Sequence, residues 1–175
     1  TEKRHILTAV DVINLVLLFE ANGIDLVIDG GWGVDALLGE ETRPHSDLDI
    51  VVQDRDVPRI RELLEDKGYI DVPRDDTCFY NFVMGDDRGH AVDIHTYTFD
   101  EQGNNVYGMD YLPNMLTGHG NIASHPVKCI PPDWMVKFHS GYELDENDYH
   151  DVRLLCERFG IAIPAEYDCF IHPRS

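Results

Sequence analysis

The chain is poor in positive charge: 14 lysines and arginines stand against 33 aspartates and glutamates, a formal net charge of −19. A nucleic-acid binder needs a basic footprint for the phosphate backbone, so no nucleic-acid partner is expected. A cationic small molecule steered by negative potential fits instead, and solubility alone is the plainer account of the same charge. A long apolar run is also lacking. The longest, Ala9 to Phe19, is interrupted by Asp11 and Asn14, falls short of a membrane span and is expected to form a buried helix, so no membrane partner is expected. The start of the sequence has no basic-then-apolar leader pattern. Cysteine is scarce and scattered, with Cys78, Cys129, Cys156 and Cys169 forming no Cys-x-x-Cys pair. That argues against zinc and for reduced thiols, hence for the cytoplasm. Repeats and low-complexity segments are absent.

What is present suits a globular chain. Apolar residues make up 43% of 175 residues, enough for a single domain over 1–175, with a core of about 8–110 and a C-terminal portion of about 111–170. Thr8 to Glu20 has helical apolar spacing at Ala9, Val12, Ile13, Val16, Leu17 and Phe19. Leu15 and Leu18 lie outside that stripe, which predicts a helix covered on more than one side. Thr8 with Asp11 reads as its N-cap and Asn22-Gly23 as its end. Leu26 to Ile28 is a short strand, Trp32 to Leu38 a helix stopped by Gly39, Asp47 to Val52 a strand, and Asp54 to Lys67 a helix with Val57, Ile60, Leu63 and Leu64 inward. Strands are expected at Tyr69–Val72, Phe79–Met84, His90–Tyr97 and Val127–Ile130, and helices at Asp133–Ser140 and Glu146–Phe159, with Asp100 to Gly120 irregular. The fold class is α+β: a mixed β-sheet with flanking helices and a helical C-terminal portion.

The chemistry concentrates in one stretch, Asp29-Gly-Gly-Trp-Gly-Val-Asp35 through Arg43-Pro-His-Ser-Asp-Leu-Asp49. Glycines at 30 and 31 let the backbone approach a ligand closely. Alternation on a strand puts Asp47 and Asp49 on one face and Leu48 and Ile50 on the other. Two converging carboxylates beside a tight turn suit Mg²⁺ held against a triphosphate. In Ala91-Val-Asp-Ile-His95, Asp93 and His95 likewise share a face. If the two strands are neighbours, three carboxylates meet. They could hold two Mg²⁺ ions roughly 3.5–4 Å apart for phosphoryl or nucleotidyl transfer, with Asp93 also placed for general-base work. The plainer alternative is three solvated aspartates at strand ends.

These residues resemble the nucleotidyltransferase superfamily that includes DNA polymerase beta: a double glycine, then Asp47-Leu48-Asp49, then a strand aspartate at Asp93. The long gap between glycines and aspartates resembles the small antibiotic nucleotidyltransferases. Within those, Asp29-to-Asp35, Asp93-Ile94-His95 and Phe138-His-Ser-Gly-Tyr-Glu-Leu144 are most similar to the small single-domain lincosamide nucleotidyltransferases. The resemblance covers roughly Thr8 to Leu155. Aminoglycoside 2″-nucleotidyltransferases share the Gly-Gly-Trp and Asp-x-Asp elements without the Phe138-to-Leu144 segment.

The resemblance implies that Asp47 and Asp49 bind both metals, that Asp93 is the third ligand and base, and that Gly30 and Gly31 lie against the nucleotide phosphates. It implies a nucleoside triphosphate, ATP or another, as co-substrate and a lincosamide hydroxyl as acceptor. Arg43, His45 and Lys137 are candidates for phosphate contact, each weighed against a surface or loop role. His95, His139 and Tyr142, with Asp148, are candidates for the substrate pocket, and Asp35, Glu143 and Asp145 for meeting a substrate ammonium. Trp32 is expected in the core, Asp35 in solvent, and Cys78 to Phe82 in the sheet core. An aminoglycoside acceptor, a catalytically silent binding module and a phosphate hydrolase stay open, as does a homodimer that completes the pocket.

Overall fold

The computed structural model describes residues 6–173; chain ends 1–5 and 174–175, within the expected domain span, lie outside the described residues. Helix α1 spans Ala9–Ala21. The Thr8 hydroxyl accepts from the Asp11 N–H (3.2 Å) while the Asp11 carboxylate accepts from the Thr8 N–H (2.9 Å), a reciprocal cap. Its buried stripe is Val12, Leu15, Val16 and Phe19. Leu17 is therefore outside the stripe and Leu15 within it. With Leu17 and Val10 exposed, the helix is covered on one side rather than several.

Strand β1 (Leu26–Asp29) runs directly into α2 (Gly30–Leu38), then β2 (Asp47–Gln53), α3 (Val57–Glu65), β3 (Ile70–Asp71), β4 (Asn81–Gly85), β5 (Ala91–Phe99), β6 (Asn105–Gly108), β7 (Gly118–Ile122) and β8 (His125–Cys129). Helices α4 (Pro132–Phe138), α5 (Glu146–Phe159) and α6 (Asp168–Ile171) complete the order. Residues 54–56, expected in the α3 helix, form a separate 3-10 turn before it. Strand β4 begins at Asn81, because Cys78 and Phe79 are exposed rather than in the sheet core. The segment expected to be irregular, 100–120, contributes β6 and the start of β7.

The strands form one mixed sheet in the order β3-β4-β5-β2-β1-β8-β7, with β6 also on β5. β2 is antiparallel to β1 and parallel to β5, and β8 is parallel to β1. Alternation sorts the central strands onto two faces. Ile28, Leu48, Ile50, Val92 and Ile94 face a core completed by α1 and α3. Val27, Val51 and Tyr97 face a second core with Met135 and Val136 of α4 and Val152 and Leu155 of α5. Helix α2 joins the two, giving Trp32 and Ala36 to the first and Val34 to the second. The end of the sheet on the α4–α5 face carries the polar residues.

Candidate active site

Sheet register gathers the carboxylates. Asp29 of β1 pairs across from Asp49 of β2, and Asp49 from Asp93 of β5. Directly opposed residues share a face, and Asp47, two positions before Asp49, joins them. They open into a cleft of about 800 Å³ lined also by Gly30, Gly31, Arg43, His45, His95, His139, Tyr142 and Asp151.

The turn between β1 and α2 must be glycine. Gly30 has φ +60°, and a Cβ there would lie 1.9 Å from Asp49 Oδ2. A Cβ on Gly31 would meet His45 Nδ1 at 2.5 Å and Arg43 Nη2 at 2.8 Å. Asp29 caps α2, accepting from the Gly30 N–H (2.7 Å). The helix N-terminus thus opens among carboxylates on one side and the Arg43 and His45 side chains on the other.

Crowding sets the electrostatics. Burial pushes the Asp49 carboxyl well above the ordinary range, and Asp47, Asp93 and Asp29 push further. Burial also raises Asp29. Asp47 is exposed at the cleft mouth, yet partial loss of water to the cleft walls and the nearby Asp93 raise it too. His95 Nε2 stands 3.3 Å from Asp93 Oδ1 without hydrogen-bond geometry, so that buried oxygen has no hydrogen-bond partner. Burial works against protonation of His95, but Asp93 outweighs it and lifts the imidazole above its usual value.

This donor set fits a hard divalent cation. It is all oxygen, it repels itself, and one buried oxygen lacks a partner. Among the described residues no group of three or more His, Cys, Asp or Glu side chains is already gathered as a metal cage. Mg²⁺ is usually bound by one or two carboxylates plus substrate phosphates rather than by such a cage. Asp47, Asp49 and Asp93 are the carboxylates that could hold such an ion.

A second pair of acids is fully satisfied. Asp35, expected in solvent, is buried. It accepts from the Thr42 N–H (3.1 Å) and hydroxyl (2.5 Å) and faces His45 Nε2 at 2.6 Å, so it is not available to a substrate ammonium. Asp151 of α5, also buried, accepts from Arg43 Nε (2.9 Å) and Nη2 (2.8 Å) and faces His139 Nε2 at 3.8 Å. These two aspartates pin the loop between α2 and β2 from opposite sides.

Most of the sequence-predicted residues therefore assemble; Asp35, Glu143 and Lys137 do not line the cleft. Asp47, Asp49, Asp93, Gly30, Gly31, Arg43, His45, His95, His139 and Tyr142 all line the cleft. Lys137 does not, its ammonium lying 4.4 Å from the Trp134 ring centroid and lining a neighbouring cavity. Trp32 is core, as expected. Sequence reasoning missed Asp29 and Asp151 as members of the site. Asp29 carried a signal, since it ends a strand immediately before the double glycine. Asp151 carried none beyond its place on an amphipathic helix.

Residues 11–155 match the family model for aminoglycoside-2″-adenylyltransferase. The chain belongs to that family. A lincosamide resistance protein of Staphylococcus haemolyticus is 30% identical over 159 residues, covering 87% of this chain and 97% of that protein. The crystal structure of the lincosamide antibiotic adenylyltransferase LnuA with lincomycin bound has a TM-score of 0.76 at 25% identity, over 90% of this chain and 99% of that one. The structure of ANT(2″)-Ia with adenylyl-2″-tobramycin gives 0.71 at 18% identity, over 87% and 89%, a likeness of fold. The adenylyltransferase family thus accounts for the mixed sheet and its flanking helices.

Proposed function

We propose that this adenylyltransferase-family protein transfers AMP from ATP to a hydroxyl of a lincosamide antibiotic and releases pyrophosphate, which makes it a resistance enzyme of the cytoplasm, where ATP is at hand. The observation that carries the reading is the convergence of Asp47, Asp49 and Asp93 on one face beside the Gly30–Gly31 turn. The lincosamide choice rests on similarity to the resistance protein and to LnuA across nearly their whole length.

In this mechanism Gly30 and Gly31 bring the α2 N-terminus against the phosphates. Arg43, fixed by Asp151, and His45, fixed by Asp35, flank them. Asp93 takes the proton from the acceptor hydroxyl. The freed oxygen bonds to the α-phosphorus, and the bond from the α-phosphorus to the bridging oxygen breaks as pyrophosphate leaves. Mg²⁺ held by Asp47, Asp49 and Asp93 would supply charge neutralisation on the phosphates. Attachment of an anionic nucleotide would destroy the drug's fit to its target.

Mass spectrometry of lincomycin incubated with the protein, ATP and Mg²⁺ tests the reading. Adenylylated lincomycin is expected, with EDTA abolishing it and Mg²⁺ restoring it. An unchanged drug would overturn the assignment. Asp93→Asn is expected to cut the chemical rate by about 10²–10⁴-fold while leaving drug affinity near wild type. The name of the matching family favours a second reading with an aminoglycoside acceptor, and tobramycin in the same assay separates the two.

A further inference from the structure

The sheet face that carries the carboxylate row carries different chemistry at its other end. Alternation puts Asp49 and Gln53 of β2 on that face, with Asp93, His95, Tyr97 and Phe99 of β5. Tyr97 pairs across from Gln53 as Asp93 does from Asp49. Four residues along each strand separate the two pairs, about 13 Å. A cavity of about 500 Å³ opens there, lined by Gln53, Arg55, Tyr97, Phe99, Leu116 and Lys128 among others. It shares no lining residue with the catalytic cleft.

One wall of this cavity is apolar. The Tyr97 and Phe99 rings pack with centroids 4.5 Å apart, and Pro113 and Leu116 continue the surface. Three charged residues line it: Asp25, Arg55 and Lys128. Lys128 Nζ donates to Asp25 at 2.7 Å, so those two balance each other. The Arg55 guanidinium makes no ion pair or hydrogen bond among the described residues, in a chain with 33 acids. The Tyr97 hydroxyl likewise has no hydrogen-bond partner among them. Burial, with Asp25 and Asp56 nearby, pushes that phenol up to about 12, so at neutral pH it keeps its proton and can donate. One unpaired cation, one free O–H donor and an aromatic wall form a recognition set for a single carboxylate on an apolar ring. A dianion fits less well, because Asp25 and Asp56 both act on the same hydroxyl.

The cavity is also connected to the catalytic side of the sheet. Tyr97 meets Tyr111 edge-on with centroids 6.3 Å apart, and the Tyr111 hydroxyl stands 3.5 Å from His95 Nδ1. The 3-10 turn Pro113–Met115 lies between two cavities: Pro113 lines this one, and Met115 lines the one that holds His95 and Tyr111. We propose that the distal cavity is a second ligand site, distinct from the catalytic cleft, for a monocarboxylate with an apolar ring body. The carboxylate sits between Arg55 and the Tyr97 hydroxyl, and the ring lies against Phe99 and Leu116. Its occupancy is transmitted to His95 through Tyr97 and Tyr111.

Calorimetry of the full chain with 2-naphthoate tests the site. Saturable binding is expected. It should weaken by about tenfold or more in Arg55→Gln, which loses a charge-assisted bond, and in Thr117→Trp, which puts an indole into the cavity from an exposed position. 2-Naphthalenemethanol, the same ring without the charge, should bind more weakly by a similar factor. Histidine-ring NMR reads the connection: 2-naphthoate should move the His95 resonance in wild type and leave it in place in Arg55→Gln at the same concentration. Neither readout needs turnover, so failure of the nucleotidyl-transfer reading and failure of this site are separable. Absence of saturable binding, or binding that both substitutions leave intact, overturns the site. Tighter binding of phenyl phosphate than of 2-naphthoate overturns the monocarboxylate class, and a His95 resonance that does not respond overturns the connection.

Discussion

Two sets of acids lie in or beside one cleft and behave oppositely. Asp35 and Asp151 each hold several hydrogen bonds to basic or hydroxyl partners. For Asp151, burial alone would raise the carboxyl, but Arg43 and His139 outweigh it and hold it below the ordinary value. Burial and the carboxylates around them raise Asp29, Asp47 and Asp49: Asp49 has Asp47, Asp93 and Asp29 beside it, Asp47 has Asp93, and for Asp29 and Asp47 the nearby His95, His139, His45 and Arg43 offset the rise only in part. The first set is compensated within the protein and works as scaffold. The second is left less compensated, a cost that the cation and phosphate of the proposed reaction would offset. Burial of an acid thus says little about its role; what balances it says much.

The sharpest way to break that contrast is to remove charge from the uncompensated set. Asp49→Asn is expected to lower turnover on the order of 10³-fold and, because it relieves like-charge repulsion, to raise the melting temperature measured without Mg²⁺. A fall in that temperature would show that the row is not self-repelling. Gly30→Ala tests the geometry instead of the charge. Its Cβ collides with the Asp49 carboxylate and its φ is left-handed, so a displaced carboxylate and a turnover loss of about 10²-fold are expected. Wild-type turnover in this variant would mean that Asp49 can move freely.

Removing an acid from the compensated set should hurt stability more than chemistry. Asp151→Ala leaves the Arg43 guanidinium, only 21% exposed, without its partner, and urea denaturation is expected to show a loss of about 3 kcal/mol. Thr42→Val, which deletes one hydroxyl donor to Asp35, should cost about 1 kcal/mol. A larger loss for Thr42→Val than for Asp151→Ala would reverse the ranking of the two anchors.

The same contrast marks what was legible in the sequence. Asp47, Asp49 and Asp93 were legible because strand alternation is local, and the glycines because a turn has few ways to be made. Helix α5, expected over about Glu146 to Phe159, was legible, since it has a reciprocal cap at Asp145 and a left-handed glycine at 160. Strand partnership was not, so Asp29, despite its place just before the double glycine, was not added to the row. Nor could Asp35 and Asp151 be picked from 33 acids, most of which belong in water; only the folded chain brings Arg43 to a residue 108 positions away. Strand β7, Gly-His-Gly-Asn-Ile, has no strand-forming composition. It forms because β8 pairs with it and because Gly120 lies so close to α2 that a Cβ would stand 2.3 Å from the Ala36 carbonyl.

The subtlest difference between the two sets is in pH. His139 is buried, which works against its protonation, but Asp151 and the Met135 carbonyl, 2.8 Å from Nδ1, outweigh that and raise the imidazole above 6.5. A raised folded value means that the protonated ring contributes stability fully below 6.5, and that this contribution fades as pH climbs through the folded value. For Asp151, held low, the contribution is full above 3.8 and fades as pH falls through its folded value. Both operate together between roughly pH 4 and 6.5. Chemical denaturation across pH should therefore show wild-type stability declining above 6.5, with part of that decline missing in Asp151→Asn, where the main group raising His139 has lost its charge. An identical slope in the two proteins would mean that His139 is neutral in the fold and that Asp151 serves Arg43 alone.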